Sequence, residues 1–136
     1  MATTVFADAG KAIVTGRLTG GASPLQVEPN FMGIGSGAGT SNQTDTTLFT
    51  EYTSGTWSAY ARSNPASTRV TTAITNDTYQ VAGSFTAPAG GPYAVTNAGL
   101  FDAASAGNML IKGDFATQTL NPGDTLVLNG KLQFIS

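Results

Sequence analysis

Apolar and polar residues alternate along much of this chain with a period of two, and glycine, proline or asparagine interrupts the alternation every few residues. Leu126, Leu128, Leu132 and Phe134 share one face of a C-terminal segment, and Thr125, Asn129, Lys131 and Gln133 share the other. That is the pattern of a half-buried strand, with Gly130 as a bulge or a point of close approach. Leu120-Asn121-Pro122-Gly123-Asp124 precedes it as a turn, because proline presets φ and glycine permits φ > 0 at the next position. Upstream, Tyr79, Val81 and Phe85 oppose Gln80, Ser84 and Thr86, again with a glycine, Gly83, in mid-strand. Residues 68–75 form a β-branched run, and Asn76-Asp77 reads as the tight turn that joins it to the next strand. Residues 94–101 and 108–115 form a further pair across the small-residue loop 102–107. Shorter strand candidates are residues 12–18, 31–34, 46–52 and 57–61. No segment carries a sustained i, i+3, i+4 apolar stripe, and residues 103–107 are at most one turn of helix.

Eight or nine short strands with regularly spaced turns predict an all-β fold: a two-sheet sandwich of about eight short antiparallel strands, jelly-roll-like in count and length. An immunoglobulin-like sandwich fits nearly as well, since strand number does not fix connectivity. Residues 1–30 are weakly patterned and contain Gly20-Gly21, Pro24 and Pro29, so they read as an irregular N-terminal arm before a single β-sandwich domain over 31–136. A chain of 136 residues can bury a core of its own without metal or disulfide staples.

Composition narrows the chemistry. There is no cysteine and no histidine, and only 10% of residues are charged, against about 25% in ordinary globular chains. Ser-His-Asp and Cys-His nucleophile systems, thiolate chemistry, disulfides and the usual nitrogen- and sulfur-ligated zinc sites are therefore excluded. Six basic and eight acidic residues give a net charge of −2, and no two basic residues are adjacent. Nucleic acid is therefore not an expected partner. Residues 1–10 lack the basic and apolar regions of a signal peptide. The longest uncharged run, 78–101, contains Gln80, Ser84, Pro88, Pro92 and Asn97 and is too polar to cross a bilayer. No membrane association is expected, and a soluble chain made in the cytoplasm is the simplest expectation.

Four candidate sites can be weighed. The run Gly33-Ile34-Gly35-Ser36-Gly37-Ala38-Gly39-Thr40 has the spacing G-x-G-x-G-x-G, not that of a dinucleotide fingerprint, and neither Gly10-Lys11 nor Gly130-Lys131 continues as a P-loop. A flexible loop is the expected reading. The carboxylates Asp8, Glu28, Asp45, Glu51, Asp77, Asp102, Asp114 and Asp124 are scattered, without a D-x-D run, and Asp77, Asp102 and Asp124 fall in predicted turns where aspartate caps its own backbone. The aromatic group Tyr52, Trp57 and Tyr60, with Glu51 and Arg62 beside it, could stack on sugar, yet strand alternation places Trp57 and Tyr60 on opposite faces. A core role for Trp57 is the favoured reading. The sequons at Asn42 and Asn76 read as turn chemistry. No catalytic, cofactor-binding or metal-binding residue is expected, no cofactor is implied, and the chain is not expected to be an enzyme. Loops rich in Gly, Ser, Thr and Asn suit docking at a strand edge.

One resemblance adds to this reading. The segment 75–87 continues through Ala94-Val95-Thr96-Asn97-Ala98-Gly99-Leu100-Phe101-Asp102-Ala103 and Gly107-Asn108-Met109-Leu110, and closes with Leu120-Asn121-Pro122-Gly123-Asp124-Thr125-Leu126. It resembles small structural proteins of tailed bacteriophages, in which a TNAGLFDA…GN hairpin precedes a PGD strand. Gly33-Ile34-Gly35-Ser36-Gly37 followed by Asp45-Thr46-Thr47-Leu48 is similar to a further element of that group. The resemblance covers roughly residues 31–134. Within the group, the chain looks most like the capsid cement (decoration) proteins of Bordetella-type podophages. That likeness implies a virion location on the head surface, a homodimer, and an HK97-like major capsid protein as partner, with neighbouring shell subunits stapled together. The alternative is a tail or baseplate module that recognises host glycan, using an exposed Trp57.

Overall fold

A computed structural model describes residues 2–20 and 27–135. Its elements are β1 (Thr3–Phe6), α1 (Asp8–Leu18), β2 (Phe31–Gly35), β3 (Thr68–Val70), β4 (Thr78–Thr86), β5 (Tyr93–Phe101), β6 (Met109–Leu120) and β7 (Thr125–Gln133). The seven strands form two antiparallel sheets, one in the order β1-β6-β5-β2 and one in the order β3-β4-β7. The fold is thus the expected all-β sandwich, with one short helix added. No helix among the described residues is long and apolar enough to cross a membrane.

The inward faces of the two sheets meet in one core. Met32, Ile34, Val95, Leu100 and Leu110 come from the first sheet, and Val81 and Phe85 from the second. Full burial of side chains of this kind contributes about 1.5–3 kcal/mol each. The sheets approach closely because two strand positions lack a Cβ. A methyl at Gly83 would strike Met32, and one at Gly130 would sit 3.0 Å from Leu100 Cδ1. The β4–β7 register runs unbroken past Gly130, which is therefore a close-approach point and not a bulge. The register shifts instead in the β5–β6 pair, between Val95 and Asn97 and between Leu100 and Phe101.

Three expectations are corrected. Residues 12–18 are not a strand but most of α1, which buries only Gly10 and Ile13. A Cβ on Gly10 would lie 2.8 Å from the Leu110 Cα, so this glycine lets the helix axis sit directly on the β6 backbone. The expected irregular arm over residues 1–30 is instead strand and helix in β1 and α1, while residues 27–30 do lack helix and strand. β1 pairs with β6 from Thr3 opposite Asp114 to Phe6 opposite Ile111, and the Ala7 N–H donates to the Leu110 carbonyl at 3.0 Å. The portions of that expectation on residue 1 and residues 21–26 lie outside the described residues. Residues 46–52 and 57–61 are not strands but turns and coil beside β2. The first touches it through the Gly35–Glu51 bridge and the second through the Tyr60 hydroxyl, which accepts the Ile34 N–H, while Ser63 just beyond bridges to Met32.

The β-branched run 68–75 forms a strand only over Thr68–Val70. Beyond it the Asp77 carboxylate accepts the backbone N–H groups of Thr72, Ala73 and Ile74 at 2.8, 3.0 and 3.0 Å, which folds residues 71–77 into a loop. These bonds hold the Asp77 carboxyl far below the ordinary carboxylate range. Asp102 and Asp124 cap their turns in the same way, accepting the N–H groups of Asn108 and Asn121.

Candidate functional site

Tyr52, Trp57 and Tyr60, with Glu51 and Arg62 beside them, gather next to β2 and pack inward, whereas Asp77, Asp102 and Asp124 stay in their turns. The segment carrying Phe49 to Tyr52 is stapled down by Asn97, a fully buried side chain on β5. Asn97 Oδ1 accepts the Phe49 N–H and its Nδ2 donates to the Phe49 carbonyl, both at 3.0 Å. An amide side chain that pairs with a peptide group at two points substitutes for a strand partner. The glycine run now has its explanation. Gly33 and Gly35 belong to β2, and a Cβ on Gly37 would lie 2.7 Å from Thr50 Oγ1, while one on Gly39 would lie 2.7 Å from the Phe49 ring. These glycines make room for Phe49 and Thr50.

The aromatic group is a packed cluster inside the sandwich. Trp57 is 5% exposed, with ring centroids 5.1 Å from Tyr52 and 4.8 Å from Tyr93. Alternation had set Trp57 and Tyr60 on opposite faces. A turn, closed by the Tyr60 N–H on the Trp57 carbonyl at 2.9 Å, brings them onto the same side, and Tyr60 stacks on Phe85. A face available for sugar stacking is therefore absent at Trp57, whose rings are occupied by protein.

Two ion pairs complete the region. Arg62 grips Glu51 through two parallel bonds, Nε to Oε2 at 2.8 Å and Nη2 to Oε1 at 2.7 Å, and its guanidinium lies 3.6 Å above the Phe101 ring. Tyr60 donates its hydroxyl to the same Glu51 at 3.0 Å and accepts the Ile34 N–H at 3.1 Å. Lys112, buried on β6, donates to Asp45 Oδ2 at 2.8 Å and to the Thr47 carbonyl at 2.9 Å. That bond to Lys112, with the Asn42 N–H next, lowers the Asp45 carboxyl below its ordinary value. Among the described residues no group of three or more Asp or Glu side chains gathers as a cation would require. The Asn42 side chain accepts from the Thr44 N–H and hydroxyl, which is turn chemistry as expected.

Three buried or half-buried phenols are expected to make the fold sensitive to base. Burial raises Tyr52 and Tyr60, and burial followed by the charge of Glu28 pushes Tyr79 up to about 12. A group whose pKa is higher in the folded state contributes stability that is whole below its unfolded value and disappears as pH rises through the folded one. Stability is therefore expected to fall steeply above pH 10, the ordinary tyrosine value. Tyrosinate absorbance should appear together with loss of the Trp57 emission signal. Gradual ionisation with unchanged emission would contradict this.

Among curated proteins, none matches the chain. A family model described as podophage GP4 fiber I protein gp80 matches residues 27–134, which includes β2 through β7 and both ion pairs. The match agrees with the expected kinship to phage structural proteins and carries nothing specific to capsid cement. Over that span, the chain belongs to the podophage GP4 fiber I protein gp80 family.

Proposed function

We propose that this chain is a structural, non-enzymatic component of a podophage fibre, and that it acts through protein–protein contacts. The family match over residues 27–134 supports the fibre assignment. The geometry favours a scaffold over a catalyst, because Glu51, Arg62, Asp45 and Lys112 are all consumed in internal pairs. The outer strand faces carry Thr, Ser, Asn and Gln, which bond to a neighbour without the desolvation cost of a charge. The capsid cement reading, with an HK97-like major capsid protein as partner, rests only on the resemblance over roughly residues 31–134.

Location in the virion separates the two. Gold-labelled antibody against the chain, applied to intact particles of a podophage that encodes it, is expected to mark the tail end. Quantitative mass spectrometry should give a copy number in line with tail symmetry. Label spread over the head, with copies in the hundreds, would replace the fibre assignment by the cement one.

A further inference from the structure

The two sheets expose four edge strands, and only one offers a long unpaired backbone. β2 is covered along its outer side by the bridges to Ser63 and Glu51 and by the Tyr52 N–H on the Ile34 carbonyl at 3.1 Å. β1 has four residues and β3 has three. β7 has nine, pairs with β4 alone, and keeps an unbroken register without a proline or bulge.

The ladder shows which groups face outward. The Phe134 N–H donates to the Asp77 carbonyl at 2.9 Å, and the Asp124 carbonyl accepts the Ala87 N–H at 2.8 Å. Bonds alternate along an antiparallel strand, so the even-numbered residues of β7 face β4. The backbone groups of Thr125, Val127, Asn129, Lys131 and Gln133 therefore point away from the sheet, and among the described residues no backbone group meets them. Chains normally blunt such an edge with charge, proline or a bulge. Here Lys131 is the only charged residue on the strand.

We propose that β7 pairs antiparallel with β7 of a second copy of this chain, on a two-fold axis through Asn129, and so makes one continuous six-stranded sheet. In this register Val127 lies opposite Lys131 of the other copy, and Thr125 opposite Gln133. Val127 is 58% exposed in the single chain, and the aliphatic stem of the opposing lysine covers it. The two Lys131 ammonium groups are offset by four residues, about 14 Å along the strands, beyond the ~8 Å Debye length at physiological salt. A register centred on Lys131 would bring them face to face and is disfavoured. Beside β7 a cleft of about 300 Å³ opens between the sheets, lined by Met32, Leu100, Ile111, Phe115 and Leu128. Pairing of the edges closes its mouth against the same cleft of the partner. A self-complementary patch of this kind gives a closed dimer and not an open filament. The proposal is independent of whether the chain sits in fibre or head.

The chain has no cysteine, so a single introduced one reports unambiguously. Opposed hydrogen-bonded residues have Cα atoms about 5.5 Å apart, within disulfide reach. Under oxidising conditions Asn129→Cys is expected to form a covalent dimer, whereas Thr125→Cys, which faces Gln133, is not. Sedimentation of the unmodified chain should show a dimer. Val127→Lys, which places an ammonium opposite Lys131 of the partner, should shift it to monomer at low salt and recover it partly at high salt. Hydrogen exchange at Val127, Asn129 and Lys131 should be slow in the dimer and fast in the Val127→Lys monomer. A chain that is monomeric at every concentration overturns the proposal. So does a dimer that ignores Val127→Lys while Asn129→Cys fails to cross-link, since another surface or another strand then occupies the interface.

Discussion

Asp45→Ala is expected to destabilise the protein by about 3 kcal/mol, whereas Lys112→Met, which removes the other half of the same pair, is expected to cost clearly less. The asymmetry follows from where each charge sits. The Lys112 side chain is 1% exposed and that of Asp45 23%. Lys112 leaves β6 toward the segment over β2, where its ammonium lies 3.3 Å from the Phe49 ring centroid and holds the Asp45 carboxylate and the Thr47 carbonyl. Without Asp45, a full positive charge remains in a low-dielectric site with one carbonyl and one ring face. Neither repays the loss of water. Without Lys112, the carboxylate keeps the Asn42 N–H at 3.0 Å and part of its hydration, and an unbranched methionine fills the vacated channel. Urea midpoints of the two variants and the double variant measure this. The double variant should recover most of the stability lost in Asp45→Ala. Equal losses in the two single variants, or additive loss in the double, would show that the pair is not desolvated as described.

Much of the sheet structure is legible in the sequence because it is local and periodic. Tyr79, Val81 and Phe85, and Leu126, Leu128 and Leu132, alternate as they must when one face of a strand meets a core, and the Pro122-Gly123 turn announces itself. The helix is not legible, because it does not earn its stability from an apolar stripe. Gly10 and Ile13 are its only buried residues, and an isolated helix of eleven residues is marginal. It forms because Gly10 lets it lie on β6, a contact one hundred residues away in sequence. The segments 46–52 and 57–61 mislead for a related reason. Their Thr, Tyr and Trp content suits strands, yet the Phe49 backbone is satisfied by the Asn97 side chain, and Tyr60 lends its hydroxyl to the Ile34 N–H of β2, neither of which any local pattern announces. Of the site residues, the buried role of Trp57 follows from its size. The buried Lys112 does not, since between Ile111 and Gly113 it reads as an ordinary outward strand lysine.

Arg62→Ala is expected to cost about 3 kcal/mol and, more tellingly, to release a loop far from it in sequence. The Arg62 side chain is 4% exposed, and besides its two bonds to Glu51 it donates through Nη1 to the carbonyls of Ala103 and Ala106, both at 2.9 Å. Those carbonyls lie in the loop between β5 and β6. There Ala106 takes a φ of 50°, in the left-handed region, at about 1 kcal/mol for a residue with a Cβ. Asp102 secures the loop's end through the Asn108 N–H at 2.6 Å, but the left-handed residue itself is held by Arg62. Removing the guanidinium orphans two carbonyls and leaves Glu51 with the Tyr60 hydroxyl alone. Amide exchange over residues 103–107 should then accelerate by more than the global loss of stability accounts for. Arg62→Lys recovers little, because an ammonium cannot span a carboxylate and two carbonyls in one plane. Ala106→Gly in the Arg62→Ala background should restore part of the stability by relieving the left-handed strain. Exchange that rises uniformly across the fold would mean that Arg62 supports the core through Phe101 and Glu51 and leaves the loop to Asp102.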